Sequence, residues 1–231
     1  MKTDYFQKWN DASGINWTDR NNLSPEQMDE QYKINFAMTR TGLNDSFIGN
    51  LSRSSHILEV GCNSGNQLHM LHNMGFKNLN GVEIQKYAVE LAKSRLPEAS
   101  FSVSSATNLP YSNNQFDLVF TSGALMCFDY QELKIAMKEI YRCSKKYIWG
   151  FEYTSKQHKQ ISCHNGENLY WLNDFSKIYL ENFSKLRIVK QMDIKAYERF
   201  SVIKSLLRNI GIKKYALEGI YKMFLLEKIS Y

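Results

Sequence analysis

The sequence predicts an α/β fold, doubly wound around a seven-stranded, mostly parallel sheet. Three stretches predict it. In His56–Leu68, the apolar run Ile57, Leu58, Val60 reads as a buried strand. It passes through Gly61 and Gly65 into a helical period of Leu68, Leu71 and Met74. Leu79–Glu83 is a second short strand that ends in an acid, and Leu118-Val119-Phe120 is the heart of a central strand. Strands alternating with helical patterns are the mark of parallel crossover units.

The 231 residues suit one core with a small lid or insertion. Hydrophobic residues make up 43% of the chain, enough for a substantial core. No apolar run approaches the roughly 18 residues of a membrane-spanning helix. The start, Met1-Lys2-Thr3-Asp4-Tyr5, lacks the apolar stretch of a secretion signal. The four cysteines, at 62, 127, 143 and 163, form no C-x-x-C pair, so they suggest neither a zinc site nor a disulfide framework. A cytoplasmic location and no metal are the expectations. The net charge of +6 is spread out and densest in the tail from Lys185 to Lys222, the pattern of a solvated basic face.

The first twenty-four residues are polar and aromatic, with little periodicity. Ser24-Pro25-Glu26-Gln27 is a helix start, with Ser24 as N-cap, Pro25 in the first turn and Gln27 closing a capping box. That helix is expected to run to about Arg40, with a short second one over Asn44–Leu51. Residues 1–54 therefore read as a helical cap, and residues 55–231 as the core. In the core, Ala88, Leu91 and Ala92 mark a helix that stops before Pro97, and Ala99–Val103 is the third strand. Leu133, Ala136, Met137 and Ile140 mark the helix after the central strand, and Lys146–Tyr153 is the fifth strand. A polar loop over 154–169, a helix over Leu169–Phe183, a strand over Leu186–Ala196 and a last strand over Met223–Ile229 complete the expectation. The basic amphipathic piece at 198–221 reads as an inserted helix: a lid, a homodimer contact or a membrane-surface helix, in that order.

The turn after the first strand selects its ligand. A dinucleotide needs glycines at the first, third and sixth positions of this turn. Here those positions hold Gly61, Asn63 and Asn66, and Glu59 precedes them. A carboxylate aimed at the turn repels a pyrophosphate and receives an ammonium group. Glu83 lies one crossover unit further on, where a carboxylate can accept hydrogen bonds from ribose hydroxyls.

The pattern Glu59-x-Gly61-x-Asn63-x-Gly65 resembles the first motif of the class I S-adenosylmethionine (SAM) methyltransferases. Asn63 stands where that family has glycine, and Ser105 where it often has aspartate before an alanine, here Ala106. The resemblance implies SAM as cofactor. Glu59 and Asn63 would hold its amino-acid end beside Gly61 and Gly65, Glu83 its ribose, and Ser105 and Ala106 its adenine. Thr121 to Leu125 would line the cleft beside its methionine portion, and Trp17 or Tyr32 could close the site. The chain further resembles the methylases that accompany pseudaminic acid biosynthesis. Trp17-Thr18-Asp19-Arg20-Asn21, the Asn-bearing loop 61–66, Phe116–Gly123 and Phe224–Lys228 carry that resemblance, and Cys163-His164-Asn165-Gly166 departs from it.

The resemblance implies methyl transfer to a hydroxyl or amine of a small molecule, with a sugar or nonulosonic acid as the expected class. A hydroxyl needs a base; His164 is the first candidate, then Glu152 and His158. Arg20 and Tyr153 could orient the acceptor. No Asn-Pro-Pro-Tyr segment comes after the central strand, where Thr121-Ser122-Gly123-Ala124 stands, which argues against a flipped-base substrate. A nucleic-acid or protein methyltransferase, or a SAM-binding protein without catalysis, are the alternative readings.

Overall fold

The computed structural model describes Trp9, residues 12–163, 168–195 and 220–229. Three helices come first: α1 (Ala12–Arg20), α2 (Pro25–Phe36) and α3 (Arg40–Ile48). The core then runs β1 (His56–Val60), α4 (Asn66–Asn73), β2 (Asn78–Glu83), α5 (Lys86–Arg95), β3 (Ser100–Val103) and β4 (Phe116–Ser122). A short 3-10 turn (Leu125–Cys127) leads to α6 (Tyr130–Cys143) and β5 (Ser144–Thr154). A hairpin of β6 (Lys159–Cys163) and β7 (Asn168–Leu172) precedes α7 (Phe175–Asn182), β8 (Leu186–Lys195) and β9 (Ile220–Lys228).

Seven strands form one sheet in the order β3-β2-β1-β4-β5-β9-β8, and β6 and β7 form a separate pair. The first five run parallel. β9 alone is antiparallel to its neighbours β5 and β8. The chain therefore reverses its lateral direction between β1 and β4, and the carboxyl ends of those strands flank an open crevice.

Residue alternation along β1 explains the two-sided packing. Ile57 points into a layer filled by Leu43, Phe47, Leu68, Leu71, Phe120 and Trp149. Leu58 and Val60 point into the opposite layer, with Leu133, Ala136, Met137 and Ile140 of α6 and Phe175 and Tyr179 of α7. Each buried Leu, Ile or Phe contributes about 1.5–3 kcal/mol relative to its exposed form. Asp129 starts α6 by accepting from the amides of Gln131 and Glu132, both at 2.9 Å.

The Ser24–Gln27 capping box is present in both directions. The helix it starts ends earlier than expected: Ala37 turns left-handed at φ 56°, and Thr39 caps a new helix through the Gly42 amide. The stretch before Ser24 holds a helix that its weak periodicity concealed. The polar stretch after 154 is a hairpin rather than a loop, and residues 168–172 are its second strand rather than helix. Tyr170 and Leu172 pack beside Cys127 and Tyr153, and Asp174 delays the helix start by capping at the Lys177 amide. Of the expected inserted helix at 198–221, residues 198–219 lie outside the described residues. Ile220 and Tyr221 begin β9.

Candidate active site

The crevice at the β1–β4 reversal holds a cavity of about 300 Å³, at the lower end of the ~300–1,000 Å³ usual for small-molecule sites. Its floor is the turn after β1, built by backbone geometry. Gly61 has φ 76°, and a Cβ there would sit 2.8 Å from the Ala124 methyl, so a side chain would fill the approach between two turns. The Gly61 and Cys62 amides both donate to the Val82 carbonyl, at 2.8 and 3.0 Å, locking this turn to β2.

Asn63 occupies a left-handed backbone at φ 46°, which asparagine tolerates better than most residues. It adds something glycine lacks. Its Oδ1 accepts from the Ser64 amide at 2.7 Å, and its Nδ2 donates to Thr18 Oγ1 at 2.9 Å. The Thr18 hydroxyl donates to Gln85 Oε1 at 2.6 Å, and Gln85 Nε2 donates to the Trp9 carbonyl at 2.6 Å. A chain of hydrogen bonds thus latches the N-terminal segment across the turn, with Thr18 and Gln85 both buried.

Glu83, at the end of β2, lines the cavity. Its Oε2 accepts from the Asn63 amide at 3.0 Å; its Oε1 accepts from the amides of Ile84 at 2.7 Å and Gln85 at 3.0 Å. Of a carboxylate's roughly four acceptor positions, these bonds use three. Burial pushes its carboxyl above the usual range, and the Gln85, Asn63 and Ile84 amides pull it back. The group is rigid and retains acceptor capacity, which is what a ribose diol requires. Ser104, Ser105 and Ala106 line the cavity beyond it, and Ser122, Gly123 and Ala124 close the β4 side. These residues fit SAM: an acceptor for the diol, a small flat wall at Ala106 and a side-chain-free approach at Gly61.

The sequence-expected residues divide. Gly61, Asn63, Glu83, Ser105, Ala106, Trp17 and Tyr32 share the cavity wall. Gly65 stands behind it, starting α4 against the Phe101 ring. Thr121 and Leu125 are buried behind the wall, with Leu125 in the α6-side core. Tyr153 packs its ring 5.1 Å from that of Tyr221, and Arg20 is exposed at the end of α1. His164 lies outside the described residues. His158 bonds Asn173 Oδ1 through Nδ1 at 3.0 Å.

Glu152 is fully buried and holds the wall rather than facing the cavity. Its carboxylate accepts from the Ala124 and Leu125 amides, each at 3.2 Å. Burial raises it to about 7, opposed by the Thr121 hydroxyl and by the Leu125, Ala124 and Met126 amides. As a carboxylate committed to these donors, it fixes the 3-10 turn from which Met126 and Cys127 reach the cavity.

Glu59 is 2% exposed and points away from the cavity, into the apolar layer beside Phe120 and Trp149. Its counter-charge is Arg40 of α3, itself fully buried. Arg40 donates to Asn44 Oδ1 at 2.8 Å and to the Tyr32 hydroxyl at 3.0 Å, and lies 4.4 Å over the Phe151 ring. Burial pushes the Glu59 carboxyl well up, and Arg40 pulls it back. Arg40 and Gln85 carry no local signature of function, and nothing short of the tertiary structure brings Gln85 to the cavity and Arg40 to the layer behind it. Phe151 and Tyr221 line the cavity from adjacent strands for the same reason.

Residues 58–147 match a family described as a methyltransferase domain. The chain carries a methyltransferase domain. The enzyme is of the class I, SAM-dependent kind, and S-adenosylmethionine is its cofactor. No curated protein matches the chain. Among solved structures, a SAM-dependent methyltransferase from Methanosarcina mazei is 16% identical, with a TM-score of 0.62, covering 79% of this chain and 96% of that one. A geranyl diphosphate C-methyltransferase from Streptomyces coelicolor A3(2), solved with Mg2+, geranyl diphosphate and S-adenosyl-L-homocysteine, is 13% identical. Its TM-score is 0.64, with 82% and 78% of the two chains covered. The [4+2]-cyclase SpnF is 16% identical at a TM-score of 0.63, covering 90% and 98%. At these identities the likeness is one of fold, and the fold hosts more than one chemistry.

Proposed function

We propose that this methyltransferase acts on a hydroxyl or amine of a small molecule, with a sugar as the favoured class and a nonulosonic acid second. The observation that carries the reading is the two-part wall of one cavity. Gly61, Asn63, Glu83, Ser105 and Ala106 form a polar, small-residue part that suits a nucleoside. Trp17, Tyr32, Phe128, Phe151 and Tyr221 form an aromatic part, whose flat faces suit the C–H face of a sugar ring. A nonulosonic acid would in addition need a cation for its carboxylate. Among the described residues the lining contains no Lys, Arg or His, and Arg20 is exposed.

When bound, SAM supplies an electrophilic methyl group on a sulfonium. The protein's share is orientation and exclusion of water. Glu83 fixes the ribose end, Asn63 and the Gly61 backbone bound the amino-acid end, and Ala106 bounds the adenine. The N-terminal helices serve as a cap, with the bonded chain Asn63–Thr18–Gln85 holding Trp9 and Trp17 over the site. Glu152 holds the turn that carries Met126 and Cys127 on the acceptor side.

Calorimetric titration with SAM and S-adenosylhomocysteine tests the cofactor half: micromolar binding that Glu83→Ala abolishes supports it. Transfer of labelled methyl into a panel of sugars, nucleotide sugars and nonulosonic acids tests the acceptor half. Label appearing only in nuclease- or protease-sensitive material would overturn the small-molecule reading. The S. coelicolor neighbour, named for geranyl diphosphate, makes prenyl diphosphates a useful control in that panel.

A further inference from the structure

We infer that Arg40, buried behind the cavity wall, positions the α-carboxylate of the bound cofactor by acting through the Tyr32 hydroxyl. The inference rests on the SAM reading of the cavity and extends it to the cofactor's amino-acid end.

Strand register places Arg40 at that end. Glu59, Phe120 and Trp149 lie side by side on β1, β4 and β5. Two residues further along a strand, side chains return to the same face. There Gly61, Ser122 and Phe151 all line the cavity. The Arg40 guanidinium packs on this face, 5.6 Å from the Trp149 ring and 4.4 Å from the Phe151 ring. It therefore sits just beneath the part of the wall that Gly61 bounds.

Arg40 is fully buried, yet the oxygens it bonds are uncharged: Asn44 Oδ1 at 2.8 Å and the Tyr32 hydroxyl at 3.0 Å. Glu59 feels its charge, but burial pushes that carboxyl well up, so the offset is partial. A cation held out of water on neutral partners favours an anion in the adjoining space. Tyr32 is the route to it. Its ring packs on Phe36 at 5.0 Å and on Phe151 at 5.7 Å, and it lines the cavity. A phenol oxygen that accepts from a guanidinium keeps its own proton to donate, and the guanidinium polarises that O–H towards an acceptor. Of the groups SAM carries, only the methionine carboxylate is an anion.

The experiment is calorimetric titration of the full chain with two ligands that differ only in that group. They are S-adenosylhomocysteine and its decarboxylated analogue, 5′-deoxy-5′-(3-aminopropylthio)adenosine. A hydrogen bond to a charged group predicts that the parent binds S-adenosylhomocysteine about 10- to 100-fold tighter. Tyr32→Phe keeps the packed ring and removes the hydroxyl. It should bring the ratio below about threefold and leave affinity for the analogue unchanged. Arg40→Met, titrated well below its melting temperature, should lower the ratio in the same way. The double variant should lower it no further, because the two residues act on one interaction. Should Arg40→Met fail to fold, Tyr32→Phe alone decides. A parent ratio near one, or a Tyr32→Phe variant that keeps the parent ratio, overturns the inference and leaves the cofactor site standing. Equal losses for both ligands would make the pair merely structural and overturn it too. Failure of both ligands to bind the parent overturns the SAM reading and this inference together.

Discussion

Two glutamates lie at or next to the carboxyl ends of adjacent strands of the same sheet, and their surroundings are opposite. Glu83 faces the cavity with three backbone amides on its oxygens. Glu59 faces the apolar layer, where its Oε2 has no hydrogen-bond partner among the described residues, as is also true of Arg40 Nη2 and Asn44 Nδ2. Both carboxyls are pushed up by burial, Glu59 further. Three amides pull Glu83 back, whereas Glu59 is opposed by the Arg40 guanidinium and the Leu68 amide and pushed up again by the charge of Glu83. A buried polar group costs little when bonded and several kcal/mol when it is not. Glu83 is thus a fixed carboxyl group open to the cavity, and Glu59 is a buried acid under the electrostatic pull of Arg40 on α3.

Removing the Arg40 charge should have the largest effect. Arg40→Met leaves Glu59 without its counter-charge and is expected to destabilise the fold by about 3–5 kcal/mol at pH 8. The loss should shrink towards pH 5. Without Arg40 the folded Glu59 carboxyl titrates higher still, and a raised carboxyl contributes stability at low pH that is lost as pH rises through the folded value. Urea unfolding at the two pH values measures it. A loss under about 1 kcal/mol at pH 8 would mean that Glu59 does not depend on Arg40. Next comes Glu83→Gln, which sets an NH2 donor against amide donors. Affinity for S-adenosylhomocysteine should fall about 100-fold, or roughly 3 kcal/mol, with a smaller change in stability. Retained affinity would show that Glu83 is structural, like its neighbour.

The same contrast marks how far the sequence reaches. Short-range signals were legible: the Ser24–Gln27 capping box, the Gly61–Gly65 turn, and strands whose apolar runs are buried on both faces. The position of Glu83 at the cavity was legible because it depends on spacing along one crossover unit. The direction in which Glu59 points depends on strand register: its row on β4 and β5 is Phe120 and Trp149. A motif position alone does not encode that. Thr121, Leu125 and Glu152 read as cleft-lining or catalytic because they end central strands, yet they support the wall from behind. The β6–β7 hairpin escaped because its polar residues hid the alternation, while Tyr170 and Leu172 pack against Cys127 and Tyr153, which are distant in sequence. Tyr221 and Phe151 reach the cavity together only through the β5–β9 pairing.

Glu152 lies between the two cases, fully buried yet bonded, and its carboxyl is raised to about 7. Unfolded, it titrates near 4.5. Its contribution to stability is therefore fully present below about pH 4.5 and is lost as pH rises through about 7. Between pH 5 and pH 8 this amounts to about 2–3 kcal/mol. Glu152→Gln should remove that part of the pH dependence, so the variant's unfolding profile should be flatter than the parent's by this amount. Parallel profiles would show that the amides of Ala124 and Leu125 keep the group ionised throughout.

Glu59→Gln should do least, and it is the sharpest test of the contrast. An amide matches the carboxyl in shape, and burial already pushes the carboxyl well towards its neutral form, which an amide resembles. Stability should change by less than about 1 kcal/mol at pH 7, the cost falling on Arg40, whose guanidinium keeps its bonds to Asn44 and Tyr32 and its place over Phe151. Because Glu59 points away from the cavity, affinity for S-adenosylhomocysteine should stay within about threefold, or roughly 0.7 kcal/mol. A tenfold loss with unchanged stability would mean that Glu59 turns to meet the ammonium group of the cofactor. The first-motif acid would then be a ligand after all, and its place in the apolar layer a resting arrangement that cofactor binding displaces.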